Sequence, residues 1–498
     1  MPEILLAAIN AKWIHPSLAL RLLKANLGPL EDRCDIVEFA LRQPLCEKTE
    51  PILAARPRIL GLSVSIWNHL ATLELLKKLR EVWAVEDVDQ QGRSQRPVII
   101  LGGPEVSYLP QESEIFQYAD YCIRGEGETA FRELCEAILN DGDVIFNNEI
   151  HTVNVTEIKS GYRLYTDEDL SGKLVYVEAS RGCPFGCEFC QSAVGASDAS
   201  AVTTGDNVVA DGDAVSSGGF VSNNGRVREF PLEPFFSEME DLIRRSAKTF
   251  KFLDRTFNLN IERSRKIMEF FLNKINKKPF VVHFEMVPSR FPPELLDTLA
   301  RFPPNTLRLE IGIQTLNPEV SARIGRPSKP EQELETLRIL AEKTNAIMHV
   351  DLIAGLPGED MESFGKGFDA LWAALSPGRG PAPFDNDNNR IEIQLGILKF
   401  LPGAPIARHI EPFSLKFNPL PPYDVIETAA IPASGLDRIK NFARFWELVV
   451  NRGLYDCGPS PVFDRFMALS DSLLARFGRN WGIAKDELIT QLAMSNEE

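Results

Sequence analysis

Short apolar runs alternate with amphipathic segments over the first 140 residues of the chain. The apolar runs predict strands at 4–9, 34–40, 59–65 and 98–103, and apolar residues at helical spacing predict helices at 17–27, 70–82 and 128–139. Strands that are apolar almost throughout indicate a parallel sheet with helices on both faces. We therefore expect an α/β fold that begins with a doubly wound, Rossmann-like domain.

Ligands of such sheets bind at the carboxyl ends of the strands. The loops expected at that edge contain Ser63 and Ser65, then Gly102, Gly103, Pro104 and Glu105, then Gly125, Glu126 and Gly127. Glycine lets a backbone come close to a bulky ligand. A binding edge is therefore one interpretation of these loops, and ordinary structural turns are the other.

A second series of strands and helices follows a connector at 143–172, in which 148–155 and 161–164 alternate like a small hairpin and His151 is expected to be an exposed strand residue. The predicted strands lie at 173–177, 249–258, 280–286, 307–315, 347–359 and 391–398, and the predicted helices lie at 234–246, 261–275, 294–302 and 332–344. Six β/α units predict a partial parallel barrel.

Polar residues interrupt these apolar strands near their carboxyl ends, where the active site of a barrel lies. They are Asp254, Asn258, Glu285, Glu310, Gln314 and Asp351. We expect them to line one cavity, and surface ion pairs and helix caps are the alternative. His283 and His349 lie within strands and are expected to be core histidines with satisfied hydrogen bonds.

Two segments interrupt or end the barrel series. Residues 195–225 are rich in small and polar residues and are expected to form a flexible insertion or a lid. The C-terminal region at 403–498 is expected to be mostly helical, with an extended connector at 419–424 and helices at 436–451, 461–477 and 484–492. An aromatic stripe of Phe442, Phe445 and Trp446 predicts core packing or a cover over a substrate cavity.

Composition limits the class of protein. A chain of 498 residues with 44% hydrophobic and 25% charged residues favours two to four globular domains. No apolar run is long enough to span a bilayer and the start lacks a basic segment, so we expect a cytoplasmic protein with no membrane partner. A net charge of -16 argues against nucleic-acid binding, although a local basic patch at Arg323, Arg326 and Lys329 leaves it open.

Three of the eight cysteines are crowded into one stretch, as Cys183, Cys187 and Cys190 in a C-x3-C-x2-C pattern with Pro184 and Gly186 between them. Zinc usually takes a fourth protein ligand, and no second Cys or His pair follows at the expected spacing. A cubane iron-sulfur cluster held by three cysteines keeps one iron open for a non-protein ligand. A zinc knuckle and a disulfide loop are the alternatives.

This stretch, with Phe189 before the last cysteine, resembles the motif of radical S-adenosylmethionine (SAM) enzymes. The resemblance implies that Cys183, Cys187 and Cys190 hold a [4Fe-4S] cluster and are catalytic. SAM would chelate the open iron and be cleaved to a 5'-deoxyadenosyl radical, with an electron from an external reductant of flavodoxin or ferredoxin type. It also implies that one aromatic and several polar side chains hold SAM while Gly355 lies near its adenine. The set is Phe189, Asp254, Asn258, Glu310, Gln314 and Asp351.

Next to that motif, the turns at 102–104 and 125–128 resemble those of the cobalamin-binding domain that precedes the barrel in one radical SAM subfamily. The chain lacks the D-x-H-x-x-G motif that supplies a histidine to cobalt, since no aspartate stands two residues before His15 or His69. A histidine ligand on the lower face of cobalt is therefore not expected. The predicted domains are 1–142 for cobalamin, 143–172 as a connector, 173–402 for the barrel and 403–498 for the helical region.

The resemblance implies a cobalamin-dependent radical SAM enzyme, with C-methylation of an unactivated carbon as the expected reaction. Rearrangement, cyclisation or sulfur insertion is the alternative radical outcome. Sulfur-inserting relatives carry additional cluster cysteines upstream, whereas Cys34, Cys46, Cys122 and Cys135 are scattered here. A non-catalytic iron-sulfur sensing or binding protein is the alternative of another class, and the substrate stays open.

Overall fold

The computed structural model describes residues 2–86, 96–140, 149–193, 227–375 and 391–495. The chain divides into two compact units: Met1–Ser180 with Arg228–Leu253, and Arg181–Val227 with Asp254–Glu498. The predicted insertion at 195–225 lies outside the described residues, and the predicted domain bounds stay a prediction.

The first unit contains a five-stranded parallel sheet. Its strands are β1 (Ile4–Asn10), β2 (Cys34–Ala40), β3 (Ile59–Ser63), β4 (Val98–Gly102) and β5 (Tyr121–Cys122). Its helices are α1 (Leu18–Ala25), α2 (Leu45–Ala55), α3 (His69–Glu86), α4 (Pro104–Tyr108) and α5 (Glu128–Leu139). The strand order is β2-β1-β3-β4-β5, so the direction of winding changes between β1 and β3. Ligands of such sheets bind at that change of direction.

The alternation of side chains along β1 explains why helices cover both faces of this sheet. Leu5, Ala7 and Ile9 belong to a core that includes residues of α2 and α3. Their neighbours at positions 4, 6 and 8 belong to a second core that includes residues of α1 and α5. Successive residues of a strand point to opposite faces, so one apolar strand supplies both cores. The predicted doubly wound fold is confirmed.

Short elements complete the first unit. They are β6 (Arg124–Gly125), β7 (Ile150–His151), a 3-10 helix (Tyr162–Leu164), α6 (Asp167–Gly172), β8 (Val175–Val177), β9 (Ser180–Arg181), β10 (Arg228–Glu229), α7 (Leu232–Arg244) and β11 (Thr249–Phe252). β8 and β11 pair in parallel.

The hairpin predicted in the connector is wrong. β7 pairs in parallel with β6, and the second half of the predicted hairpin is helical. Thr166 and Asp169 form a capping box, which starts α6 and stops the chain from extending into a strand. His151 is half-buried rather than exposed, because its backbone carbonyl accepts from Glu126 N at 2.9 Å and holds it against β6.

The second unit contains four adjacent parallel strands in the order of the chain. Its first elements are 3-10 helices at Gln191–Ala193 and Phe257–Leu259, α8 (Ile261–Ile275), β12 (Val281–Met286), α9 (Pro293–Ala300), β13 (Leu307–Gln314), α10 (Pro318–Arg323), α11 (Pro330–Lys343), β14 (Ile347–Ala354), α12 (Met361–Leu375) and β15 (Ile391–Ile397). β13 and β14 each alternate buried and half-buried residues, and the half-buried positions include the polar residues of both strands. All six strands predicted for the radical SAM barrel are present.

The C-terminal region is mostly helical, as predicted. It contains a 3-10 helix (Pro405–His409), β16 (Lys416–Phe417), β17 (Val425–Glu427), α13 (Ala433–Phe445) followed by a π-helical turn (Trp446–Val450), α14 (Phe463–Phe477) and α15 (Lys485–Ser495). The connector predicted at 419–424 is instead the turn of an antiparallel hairpin, because β16 pairs with β17.

The aromatic stripe of α13 is core packing. Phe442, Phe445 and Trp446 are at most 1% exposed, and the rings of Phe442 and Trp446 stack with centroids 5.6 Å apart. Within the described ranges, no helix has both the length and the apolar character that a membrane crossing requires.

Candidate active site

The three clustered cysteines lie on an irregular loop of the second unit. Gly182 enters this loop with φ of 94°, a conformation that glycine adopts without strain. Cys187 is 8% exposed, and Cys183 and Cys190 are half-buried. All three thiols are free. A Cβ added at Gly186 would meet no atom of the described residues within 4 Å, so among these residues this side of the loop has room for a bound group.

Arg326 lies against this cysteine loop. Burial raises the pKa of the Cys187 thiol, and the Arg326 guanidinium opposes that effect because its Nη1 donates to Sγ at 3.7 Å. Cys183 and Cys190 also raise the pKa of Cys187, by a smaller electrostatic effect. Ser192 N donates to the Sγ of Cys190 at 3.4 Å. Hydrogen bonds to sulfur are among the features that tune iron-sulfur clusters.

Glycine brings the loop with Arg326 close to the cysteine loop. Gly325 has φ of 67°, and a Cβ on it would lie 2.6 Å from the carbonyl oxygen of Gly186. Glu188 N donates to the Ile324 carbonyl at 3.0 Å. From the sequence, Arg326 appeared only as part of a basic patch. The glycine before it, in a loop after α10, is the signal that could have placed it here.

The structure brings four of the predicted SAM residues together on adjacent strands. Glu310 and Gln314 lie on the half-buried face of β13, Asp351 lies on the same face of β14, and Gly355 follows β14 with φ of 86°. Gly312 pairs with Asp351, which places Asp351 between Glu310 and Gln314 along the barrel axis. Gln314 has φ of 71°, a strained conformation for a residue other than glycine and one that often marks a functional site.

Asp254 and Asn258 are placed differently. Asp254 is 3% exposed and Asn258 is fully buried. The Asn258 amide donates to the carbonyl oxygens of Val287 at 2.9 Å and Arg290 at 2.8 Å, and its Oδ1 accepts from Val287 N at 3.0 Å. Asn258 therefore holds the loop that follows β12, and direct contact between its side chain and a cofactor stays a prediction. Phe189 is half-buried in the cysteine loop.

The two strand histidines have polar partners. His349 Nδ1 lies 2.9 Å from Gln394 Nε2, and His283 Nε2 lies 3.2 Å from Glu310 Oε2. The two imidazole rings meet edge to face with centroids 5.7 Å apart. Glu285 lies on the same strand face as His283. These residues form one polar layer on the inner face of the sheet.

In the first unit, the predicted cofactor loops lie at the carboxyl edge of the sheet. Gly103 has φ of 108°, and a Cβ on it would lie 2.5 Å from the Val64 carbonyl oxygen. Glu105 is 1% exposed and accepts from His69 Nδ1 at 2.8 Å. His69 therefore makes a local hydrogen bond, as expected for a loop histidine. Gly102 and Ser63 end adjacent strands, Pro104 begins α4, and Ser65 N donates to Asn68 Oδ1 at 2.8 Å.

The third predicted loop, residues 125–127, contacts the backbone of β7. Gly125 has φ of 80° and approaches the His151 carbonyl so closely that a Cβ would lie 2.4 Å from it. Glu126 accepts from Arg228 Nη1 and from Val153 N, both at 2.8 Å. Gly127 precedes the first residue of α5. Glu126 is thus engaged within the protein, and its contact with a cofactor stays a prediction.

Large apolar side chains are exposed where β1 and β3 end. Trp13 and Trp67 are 52% and 51% exposed, and Ile14 and Leu70 are exposed beside them in the sequence. His15 Nδ1 lies 2.8 Å from Tyr176 Oη, and burial lowers the pKa of His15. Exposed apolar groups at the change of winding direction suit a large, flat, partly apolar ligand.

Residues 177–371 match the radical SAM superfamily, and residues 4–135 match the B12 binding domain. The chain therefore contains a radical SAM domain and, before it, a B12-binding domain. The two matched regions correspond to the barrel series and to the doubly wound sheet, so the family and the fold class predicted from the sequence are confirmed.

Curated relatives match only part of this radical SAM protein. The cobalamin-dependent radical SAM methyltransferase TokK of Streptomyces tokunonensis is 26% identical over 172 residues, which are 30% of this chain and 23% of TokK. The ribosomal protein uS12 methylthiotransferase RimO of Carboxydothermus hydrogenoformans is 23% identical over 146 residues, 28% of this chain and 33% of RimO. The chain thus spans less than two thirds of these relatives.

Solved structures share the fold over most of the chain. TsrM from Kitasatospora setae, a radical S-adenosylmethionine methyltransferase, has a TM-score of 0.56 and 17% identity over 86% of this chain and 80% of TsrM. The cobalamin-dependent enzyme OxsB has a TM-score of 0.61 and 14% identity over all of this chain and 79% of OxsB. The mixed α/β architecture is therefore that of cobalamin radical SAM enzymes.

The two domains imply a [4Fe-4S] cluster, SAM and cobalamin, and the residues present fit these cofactors. Three free thiols share a loop with an open side, which fits a cluster bound by three cysteines. Among the described residues, no group of three or more His, Cys, Asp or Glu could hold a single metal ion. A cubane places each thiolate on a different iron, so the three thiols do not need to meet at one point.

Proposed function

We propose that this cobalamin-dependent radical SAM enzyme transfers a methyl group to an unactivated carbon of its substrate. One observation carries the proposal: the same chain contains two suitable sites. The first is a three-cysteine loop with an open side, and the second is a sheet edge with glycine turns and exposed tryptophans. Two proteins similar to it, TokK and TsrM, are named as methyltransferases, which supports the same reaction class.

Each group of residues has a role in this proposal. When bound, the cluster would supply the electron that cleaves SAM, and cobalamin would carry the methyl group. Cys183, Cys187 and Cys190 hold the cluster, and Arg326 donates to the Cys187 sulfur. Polar groups on β13 and β14 hold the hydroxyl and ammonium groups of SAM, because carboxylates accept from both.

The proposed cobalamin site uses backbone shape more than charge. The positive φ of Gly103 brings its turn against Val64 and leaves no side chain at that point of the sheet edge. The exposed parts of Trp13 and Trp67 supply apolar area for a macrocycle, although the Lys173 ammonium lies over the Trp13 ring, 5.0 Å from its centre. His69 is held by Glu105, so we propose that cobalt takes no histidine ligand from this loop.

Sulfur insertion is the second candidate reaction, because RimO is a methylthiotransferase. The scattered cysteines give it little support. Cys34 and Cys135 are at most 1% exposed within one apolar core, where burial raises the pKa of the Cys34 thiol to about 12. Thiols that resist ionisation to this degree are poor cluster ligands, since the thiolate is the form that binds metal.

The decisive experiment follows a labelled methyl group. Anaerobically reconstituted protein is supplied with cobalamin, SAM that carries a deuterated methyl group and a strong reductant, or a flavodoxin or ferredoxin as the proposed physiological donor. We expect 5'-deoxyadenosine, a corrinoid spectrum that survives desalting, and labelled methyl on the corrinoid. Cys187→Ala should abolish 5'-deoxyadenosine, and exposed Cys46→Ala should not. Formation of 5'-deoxyadenosine without labelled corrinoid would refute methyl transfer and favour another radical outcome.

A further inference from the structure

Glu188 lies between the second and third cluster cysteines, and its carboxylate is buried. Its relative exposure is 6%. Nε2 of His409 donates to Oε2 at 2.8 Å, and Arg408 forms an ion pair with Oε1. His409 is itself buried, whereas the Arg408 side chain is 66% exposed. A buried carboxylate beside a cluster is therefore balanced by two basic residues of the C-terminal region.

Backbone and amide contacts join the same two segments. Ile406 N donates to the Glu188 carbonyl at 2.9 Å, and Gln191 Nε2 donates to the Pro402 carbonyl at 3.2 Å. Both the middle of the cysteine loop and the residue after its last cysteine are thus bonded to residues 402–409. Irregular loops have few hydrogen bonds of their own, so contacts of this kind decide how firmly the cysteines are held.

The other end of this segment reaches the turn after β14. The rings of His409 and Phe413 have centroids 5.7 Å apart, and the Arg323 guanidinium lies 4.8 Å from the centre of the Phe413 ring. Arg323 Nη1 donates to the Pro357 carbonyl at 2.6 Å. Pro357 belongs to the turn predicted to lie near the adenine of SAM.

We propose that residues 402–413 form a brace that holds the cysteine loop and the turn after β14 in a fixed relation, with Glu188 as the positioning residue at its centre. Residues 402–413 lie outside residues 177–371, the part that matches the radical SAM superfamily, whereas Glu188 lies within that part. The inference rests on the cluster of the radical SAM domain and is independent of whether the reaction is methyl transfer.

The brace has an electrostatic consequence for the cluster. A negative charge near a cluster favours its oxidised state, and a positive charge favours its reduced state. Glu188→Gln should therefore raise the reduction potential of the cluster, and Arg408→Gln should lower it. His409→Leu removes the hydrogen bond to Glu188 and should weaken cluster binding by up to about tenfold; that upper value is the scale for direct partners of metal ligands, and Glu188 is a neighbour of two ligands rather than a ligand. His409→Gln keeps an N–H donor and should restore much of that binding.

The test measures iron and sulfide per chain and the reduction potential by electron paramagnetic resonance, in reconstituted full-length protein. Arg438→Gln is the matched control, because Arg438 also belongs to the C-terminal region and pairs with a carboxylate, Asp471, at 2.7 Å. It should leave both quantities at wild-type values. A raised reduction potential in Glu188→Gln together with a lowered one in Arg408→Gln would support the proposal.

Two outcomes would refute the proposal that residues 402–413 act as a brace. One is wild-type iron content in His409→Leu, and the other is an equal potential in wild type, Glu188→Gln and Arg408→Gln. If His409→Leu fails to fold, the two charge variants decide the question. Failure of the wild type to take up a cluster would instead refute the proposed function, so the two hypotheses can be separated.

Discussion

Glu359 provides the most direct quantitative prediction, because it is a buried carboxyl group next to the proposed SAM turn. It is 2% exposed, and burial raises its pKa from 4.5 to about 7, with a smaller contribution from Asp360. Thr315 Oγ1 donates to Oε1 at 2.5 Å and opposes that rise. Among the described residues, Oε2 has no hydrogen-bond partner.

The sign and size of the effect follow from linkage between ionisation and folding. A carboxyl group with a raised pKa in the folded state favours folding fully only at low pH, below its unfolded value of 4.5. That contribution is lost as pH rises through about 7. A rise of this size corresponds to about 3 kcal/mol, at 1.36 kcal/mol per pKa unit. Ionisation of Glu359 thus destabilises the second unit at alkaline pH.

Glu359→Gln removes the ionisation while its Oε1 still accepts from Thr315. The new amide nitrogen is left without a partner, which lowers stability by about 1–3 kcal/mol at every pH. The predicted signature is therefore a difference in pH dependence: relative to wild type, the variant should gain about 2.5 kcal/mol between pH 5 and pH 8, since the rest of the effect falls below pH 5. Calorimetry of thermal unfolding at several pH values measures this difference.

The control for this experiment is Glu331→Gln, a change to an exposed glutamate in the first turn of α11. Surface substitutions usually change stability by less than about 0.5 kcal/mol. The control should therefore follow wild type at all pH values. Parallel pH profiles for wild type and Glu359→Gln would refute the reasoning.

Three further predictions concern the two cofactor sites and the core of the first unit. Cys187→Ala should lose the visible absorbance and most of the iron of the cluster, as measured on reconstituted protein, because one of three cluster ligands is gone. Gly103→Ala should cost about 1–3 kcal/mol and weaken corrinoid retention after desalting, because its φ is 108° and its Cβ would meet the Val64 carbonyl at 2.5 Å. Arg21→Met should destabilise the protein by up to about 3 kcal/mol in thermal unfolding, because Glu38 and Asp169 both lose a buried ion-pair partner, while Lys173 still pairs with Asp169 at 2.8 Å.

The sequence was sufficient for the regular parts of the fold because strong periodicity marks both series of strands. The apolar run of β1 predicted a sheet covered on both faces, and α8 and α5 have the predicted bounds. Errors arose where a local pattern was short. Residues 148–155 alternate like a strand pair, but the capping box at Thr166 and the contact of His151 with β6 decided the local structure.

The cysteine motif of the candidate site could be recognised from the sequence, whereas most residues that contact it could not. The three cysteines lie within eight residues, so the sequence alone was enough to propose a cluster loop, and their role as ligands stays a prediction. The sequence analysis did not place Arg326 or His409 at the site, because each reaches it through contacts between segments far apart in the chain, and only Arg326 has a local signal in the glycine before it. Asn258 differs from these residues, because its position near a strand end suggested cofactor binding. In the structure its side-chain amide is hydrogen-bonded to the backbone of Val287, in the loop after β12.

The cysteine loop is fixed mainly by hydrogen bonds from other segments of the chain, and this affects how a cluster would bind. One backbone hydrogen bond inside the loop, from Cys190 N to the Cys187 carbonyl at 3.0 Å, fixes little of its conformation. Bonds from Glu188 to Ile324 and from Ile406 to Glu188 fix its middle from two sides. A loop positioned by the protein keeps its thiols in place before a cluster arrives, and such preorganisation avoids an ordering cost on binding. The same bonds couple the cluster to the C-terminal region, so substitutions there should change its reduction potential without touching a cysteine.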